Sequence, residues 1–518
     1  MHIMIREEKI TTEVLKFEEL FASLQRYNRT KMKLKTLLCL SAVLLLAAAC
    51  NRKPVGPAFE FDSSEATSRV STTGGDIAGY LENGVYIYKG IPYGKAERFM
   101  PAESVSWDGV RSCRAYGPTC PQGARGGWYN DEQAFSSAWN DGFPDEDCLR
   151  LNIWTPAIKD GGKRAVMVWL HGGGFHSGNG QEWPSYDGRA LAGGHDVVIV
   201  TLNHRLNVLG HLDLSYFGDK YATSGNVGMT DIVKALEWVR DNIATFGGDP
   251  SNVTIFGQSG GGGKVTTLMA MPSAKGLFSK AIVESGSITT VMDKKYSQRV
   301  GRYTLHNLGL SPLKVDELTK VPYAQLLAAC QQAVNQVRRE AQEDGAAPTN
   351  MLLGMLFGTE PTVDGVVLPY QPGAPESMEL SKDIPVIIGT TWNEFTVGQE
   401  DQMFKPLAIA QAKDRTNHGC APVYLYRFDW ESPVLDGHLG SSHCMEIPFV
   451  FDNVALHFSI TGGAPDDVEL GHRISRAWTN FAKTGKPSSA GLPEWPVYTP
   501  DGKQTMIFDH VCSIQETL

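Results

Sequence analysis

The stretch that most restricts how this chain can fold runs from Val253 to Met271. Val253–Phe256 is a short apolar run, Gly257-Gln258-Ser259-Gly260-Gly261 is a Gly-x-Ser-x-Gly turn, and Lys264 to Met271 can continue as a helix. A strand that passes straight into a helix through a glycine turn belongs to layered α/β folds, with the serine standing at the end of the sheet. A chain with 54 glycines would carry about 0.4 such motifs by chance, so the motif gains meaning only from its surroundings.

Those surroundings agree. Ala165–Leu170, Val197–Leu202, Lys280–Val283, Pro385–Ile388 and Val423–Phe428 read as further buried strands, while Ile232, Leu236, Val239 and Ile243 recur at helical spacing. Strand–helix alternation over this length predicts one α/β unit with a mostly parallel central sheet flanked by helices. No internal repeat or low-complexity block interrupts it. The 518 residues are 42% hydrophobic and 20% charged, with a net charge of −10 and a pI near 5.8. No basic stripe follows residue 54, which excludes a partner whose phosphates must be tracked, so no nucleic acid is expected.

The N-terminus reads as a targeting segment. Basic residues from Lys31 to Lys35 precede the apolar run Leu37–Ala49, which is too short for a membrane span and ends in Ala47-Ala48-Ala49-Cys50. This pattern is similar to a bacterial lipobox, in which Cys50 is lipidated, although Ala47 stands where Leu is usual; cleavage by an ordinary signal peptidase is the alternative. Met32 would open a signal peptide of normal size. The expected organisation is therefore a non-native or disordered leader over 1–31, a signal over 32–50, a polar tether over 51–68 and one domain over 69–518. Export to the bacterial periplasm or outer membrane, or secretion, follows, with membrane attachment only through the lipid. Of nine cysteines, seven lie beyond the signal. That odd number leaves at least one thiol free. No Cys-x-x-Cys or His-Glu-x-x-His spacing suggests a metal.

The second chemical element is His171-Gly172-Gly173-Gly174-Phe175, directly after the strand ending at Leu170. Alone it could be a phosphate loop or a plain turn. Paired with the serine turn it reads as an oxyanion site: bare backbone N–H groups approach a developing charge most closely where there are no side chains. Gly173, Gly174 and Gly260 are the expected donors. A serine nucleophile needs a base, and the base an orienting carboxylate, in the chain order Ser, acid, His. Glu394 follows the strand Pro385–Ile388 and His443 follows Val423–Phe428 through a Gly-Ser-rich loop. On position alone His438, His457, His472 and Glu284 remain competitors.

The chain resembles the type-B carboxylesterase family, which includes cholinesterases and bacterial para-nitrobenzyl esterases, over roughly residues 70 to 510. The resemblance rests on Gly90-Ile91-Pro92-Tyr93, Glu146-Asp147-Cys148-Leu149-Arg150-Leu151-Asn152, His171 to Phe175, Asn203-His204-Arg205, Phe246-Gly247-Gly248-Asp249-Pro250, the serine turn through Gly262, Trp478 to Pro487, and Trp495-Pro496. It implies an α/β-hydrolase fold, no cofactor, and a triad of Ser259, Glu394 (in Gly389-Thr390-Thr391-Trp392-Asn393-Glu394) and His443 (in Ser441-Ser442-His443-Cys444-Met445-Glu446). It also implies structural ion pairs Arg98–Glu146 and Arg205–Asp231 and a Cys120–Cys148 disulfide, whose loop would contribute roughly 3–4 kcal/mol in the chain-entropy account. Three departures stand out. Phe395 replaces the usual Gly, Cys444 replaces a small residue, and only 48 residues separate Glu394 from His443. The short segment predicts a reduced lid, leaving the pocket open or incomplete.

The expected activity is hydrolysis of a small-molecule or carbohydrate-linked carboxylic ester. The alternatives are an amide or thioester hydrolase and a non-catalytic cholinesterase-like binding module. Trp128, Tyr129, Phe135, Trp139 and Phe143 lie in the loop between Cys120 and Cys148 that borders the pocket in this family; they would either stack on substrate or pack on their own domain.

Overall fold

The computed structural model describes residues 59–123, 137–345, 360–396 and 398–516, together with Gly354, Phe357 and Gly358. Twelve strands form one sheet: β1 (Phe61–Asp62), β2 (Tyr80–Glu82), β3 (Val85–Pro92), β4 (Arg150–Thr155), β5 (Arg164–Leu170), β6 (Val198–Leu202), β7 (Gly248–Gln258), β8 (Lys280–Glu284), β9 (Val386–Thr391), β10 (Val423–Phe428), β11 (Gln504–Phe508) and β12 (Ser513–Glu516). Their order across the sheet is β1-β2-β3-β4-β6-β5-β7-β8-β9-β10-β11-β12. The seven strands from β6 to β11 are mutually parallel, and the flanking strands are antiparallel.

The apolar runs that predicted strands are unbroken because both faces of the parallel sheet are covered. Along β5, Val166, Val168 and Leu170 enter one core, and Met167 and Trp169 enter the other. Helix α1 (Val227–Asn242) covers the first face with Ile232, Leu236 and Val239; α2 (Gly260–Leu268), buried at every residue, lies beside it. Further on come α3 (Lys405–Asn417) and α4 (Pro465–Thr484). The second core takes Leu470, Ile474, Trp478 and Phe481 from α4.

The compact unit begins at Glu60. Residues 61–68, expected in the tether, form β1 and a short helical turn, because Phe61 and Asp62 pair with Glu82 and Leu81. Among the described residues no helix is long and apolar enough to cross a membrane. The strand order fixes where chemistry can sit. After β5 the chain moves outward to β6 and then returns to place β7 on the other side of β5. The carboxyl ends of β5 and β7 therefore open onto the crevice where the order reverses, the usual ligand position in open α/β sheets.

Candidate active site

Ser259 stands at that crevice. β7 ends at Gln258 and α2 begins at Gly260, so a single residue makes the whole turn, and Ser259 adopts φ 59°, ψ −125°. Such a conformation costs a residue with a side chain about 1–3 kcal/mol and persists only where the surroundings impose it. Here the Ser259 N–H donates to the Glu284 carbonyl at 2.8 Å, and the Gly263 N–H donates to the Ser259 carbonyl at 3.0 Å. A Cβ on Gly260 would collide with the backbone of Gly174. Val253 to Gln258 are buried, whereas Ser259 is partly exposed.

The glycine run after β5 is aimed by the same kind of constraint. A peptide unit is planar and trans, so fixing its carbonyl fixes its N–H in the opposite direction. The Gly172 carbonyl accepts from His171 Nδ1 at 2.9 Å, which turns the Gly173 N–H away from His171. The Gly173 carbonyl accepts from the Ser177 N–H at 3.1 Å, which turns the Gly174 N–H away from Ser177. Both glycines have positive φ, 81° and 62°. The run lies on the serine turn: an ideal Cβ on Gly172 would sit 3.5 Å from the Ser259 Cβ. Gly260 is the first residue of α2, where backbone N–H groups lack helical partners.

Glu394 and His443 come together across 49 positions of sequence. His443 Nδ1 makes a short hydrogen bond with Glu394 Oε2. Glu394 Oε1 accepts from Ser285 Oγ at 2.6 Å and from the Thr391 N–H at 2.9 Å. Glu394 takes φ 41°, and its own N–H donates to Thr391 Oγ1 at 3.2 Å. The backbones are tied as well, His443 N–H to Glu394 carbonyl at 2.9 Å. Gln258 Nε2 lies 3.3 Å from His443 Nδ1 and 3.4 Å from Nε2. Near-equal distances place it against the ring, in line with neither nitrogen. This links the pair to the residue before Ser259. The rings of Phe395 and Phe404 also lie on the imidazole, with centroids 4.3 and 5.0 Å away. Phe404 is fixed by Asp401, whose carboxylate accepts from the N–H groups of Met403, Phe404 and Lys405.

Two other acids stand nearby. Glu284, at the end of β8, accepts from Trp478 Nε1 at 2.8 Å, and burial pushes its carboxyl up to about 8. Burial and the neighbouring Glu284 push Glu446 well above the ordinary range. Among the described residues no cluster of three or more His, Cys, Asp or Glu side chains is arranged to hold a metal ion.

The sequence model of the Carboxylesterase family matches residues 66–418 and 399–517. The chain belongs to the carboxylesterase family. It is similar to para-nitrobenzyl esterase of Bacillus subtilis (strain 168), 35% identical over 498 residues that cover 86% of this chain and 96% of that protein. It is also similar to phenmedipham hydrolase of Pseudarthrobacter oxydans, 31% identical with 84% and 94% covered. Among solved structures, an esterase from anaerobic Clostridium hathewayi that can hydrolyze aliphatic aromatic polyesters matches with a TM-score of 0.77 and 34% identity, covering 88% of this chain and 97% of that one. The protein is a serine carboxylic-ester hydrolase with the α/β-hydrolase fold expected from its sequence.

Two of the competing histidines of the carboxylesterase are engaged elsewhere, and the third is exposed. His457 Nδ1 meets Ser185 Oγ at 2.6 Å, His472 Nδ1 meets Asp452 Oδ1 at 2.6 Å, and His438 is exposed. Both expected ion pairs form: Arg98 Nε donates to Glu146 at 2.7 Å, and Arg205 Nε and Nη2 donate to Asp231 at 2.8 and 2.6 Å. The Cys120–Cys148 disulfide is not formed. Both residues are buried thiols, like the remaining described cysteines free of any disulfide. The two are nonetheless in contact, and a hydrogen bond with Cys120, then burial, raises the Cys148 thiol well above its ordinary value. Trp139 packs edge-on to Trp183 at 5.1 Å, and Phe143 is 57% exposed. Trp128, Tyr129, Phe135 and Cys50 lie outside the described residues. Gln258, Ser285, Phe395 and Phe404 went unassigned by sequence reasoning; for Gln258 the only signal was its place directly before the serine.

Proposed function

We propose that this carboxylesterase cleaves its ester by a two-step acyl transfer through Ser259, His443 and Glu394. The observation that carries the reading is the buried Glu394–His443 pair, tied through Gln258 to the turn that presents Ser259. Glu394 engages Nδ1, and Nε2, on the other side of the ring, is the nitrogen assigned to the serine. His443 takes the Ser259 proton as Oγ adds to the ester carbonyl. The N–H groups of Gly173, Gly174 and Gly260 receive the oxyanion. His443 then protonates the departing alcohol and the acyl-enzyme remains. Water enters, gives a proton to His443 and adds to the acyl carbon. Collapse releases the acid, and the proton returns to Ser259. Glu394 holds the imidazole tautomer and offsets its positive charge. Ser259→Ala should retain its thermal transition and lose p-nitrophenyl ester turnover; turnover at the wild-type rate would end the assignment.

The substrate proposed is an ester with an aromatic component. Relatives named for para-nitrobenzyl esters and for aliphatic aromatic polyesters support this class. Matched alkyl and aryl esters, with the anilide of the same acyl group, would test it; faster anilide or alkyl-ester cleavage would reject it. We further propose export with lipidation at Cys50 and, outside the cell, oxidation of Cys120 and Cys148 to a disulfide. Intact mass of protein from the membrane fraction, with and without reduction, reads both modifications; an unmodified Cys50 and two free thiols would reject them.

A further inference from the structure

Lys264 is a feature of the crevice that the acyl-transfer reading leaves unused. It sits on the second turn of α2, five residues after Ser259, and is completely buried. Nζ donates to the His171 carbonyl at 2.8 Å and to the Gly174 carbonyl at 3.0 Å. It also lies 5.7 Å from the centroid of the Phe175 ring. These carbonyls flank the two peptide units whose N–H groups, on Gly173 and Gly174, were assigned to the oxyanion. The inner two carbonyls are held by His171 and Ser177, so with Lys264 the run is anchored at four successive carbonyls. A lysine fully out of water is a large desolvation cost, seldom met without a carboxylate partner at contact distance. Its position under the glycine run gives that cost a use.

We infer that Lys264 is a positioning residue for the oxyanion site: its ammonium clamps the glycine run from below and biases the cavity toward negative charge. This rests on the acyl-transfer reading of Ser259. The charge is adjustable. Burial draws the Lys264 ammonium down to about 7, with a weak opposing pull from Glu182. The other titratable groups facing it are His171 at the start of the run, His176 at its end, and His204 and His211 beyond β6. Burial holds His176 down to about 4, His211 down to about 3 and His204 well below its ordinary value, so all three stay neutral near pH 7. On the elements packed against α2, Asp231 of α1 is paired with Arg205, whereas Glu284 of β8, hydrogen-bonded by Trp478, is raised by burial to about 8 and takes up its negative charge above the Lys264 ionisation. Raising pH through 7 therefore removes a positive charge from beneath the oxyanion, and Glu284 adds a negative one at higher pH, near 8.

The test measures kcat and KM on a p-nitrophenyl ester from pH 5.5 to 9.5 for wild type, Ser259→Ala and Lys264→Met, with near-ultraviolet circular dichroism as the folding control. Lys264→Met should lose about 10- to 100-fold in kcat at pH 6.5, with KM within about twofold. Wild-type kcat/KM should fall with one ionisation near pH 7, and that limb should be absent in Lys264→Met. A buried lysine of purely structural value would leave the pH profile unchanged. If Ser259→Ala is as active as wild type, the acyl-transfer reading fails, whatever Lys264 does. If turnover depends on Ser259 but Lys264→Met matches wild type in kcat and pH profile, this inference alone is overturned. Should Lys264→Met not fold, the wild-type profile decides: a fall near pH 7 supports the clamp, and a plateau to pH 9 overturns it.

Discussion

The two halves of the site are built by different means. The side that carries Ser259 and the oxyanion donors is backbone: glycines at 172, 173, 174 and 260 let two main-chain segments touch, and carbonyl anchors set the direction of each N–H. The side that carries Glu394 and His443 is made of side chains on two loops. It is held by Ser285, Thr391 and Gln258 and by the rings of Phe395 and Phe404. Backbone placement tolerates no added atom, whereas side-chain placement yields in steps, one partner at a time.

That contrast orders the expected effects. Glu394→Gln keeps the shape but admits the wrong imidazole tautomer, and kcat should fall about 10⁴-fold with the thermal transition retained; a loss under tenfold would separate Glu394 from the chemistry. Gly260→Ala puts a Cβ into Gly174, so kcat should drop about 10²–10³-fold, equivalent to about 2.7–4 kcal/mol of barrier. Activity within threefold of wild type would show that the two segments can part. Ser285→Ala removes one of two hydrogen bonds to Glu394 Oε1. About a tenfold loss in kcat is expected, since a hydrogen bond to a charged group contributes about 1.5–3 kcal/mol and the Thr391 N–H remains. A loss as deep as that of Gly260→Ala would erase the distinction between the halves.

The smallest effect concerns stability. Glu284 has its folded value raised to about 8 from 4.5. Between those values the folded protein keeps a proton that the unfolded chain has released. The contribution is complete below 4.5 and is lost as pH rises through 8. Glu284→Gln has no such proton, so its Tm relative to wild type should climb from pH 5 to pH 8. Parallel Tm curves would remove this carboxyl from the balance.

The same division explains what could be read in advance. The glycine half is contiguous motif, so Ser259, Gly173 and Gly174 stood out from sequence, and Val423–Phe428 was placed to the residue. β7 starts at Gly248, five residues before the apolar run, because a register shift between Gly248 and Val253 lets polar residues join the strand. The antiparallel strands up to residue 92 and after residue 512 went unread: β1, β2 and β12 are short and partly exposed, and the eight-residue β3 is broken by Lys89 and Gly90, so none carries a continuous apolar run. Glu394 and His443 needed the family pattern, since nothing local distinguishes a carboxylate that will meet a histidine 49 positions away. Phe395, noted in the sequence only as a departure from the usual Gly, lies on the ring of His443.

The main-chain tie between Glu394 and His443 has a consequence for how such an enzyme can diversify. The His443 N–H bonds the Glu394 carbonyl, and Glu394 forms a bridge with Ser442. Acid and base thus share one frame, although the chain between them leaves and returns. Whatever is inserted into or trimmed from that excursion begins and ends on a fixed clasp. The 48-residue connection can therefore be varied at its exposed turn: a longer segment grafted at Gly398–Gln399, which keeps Asp401, Phe404 and β10, should alter which esters enter while leaving the clasp, and the rate on a minimal ester, in place.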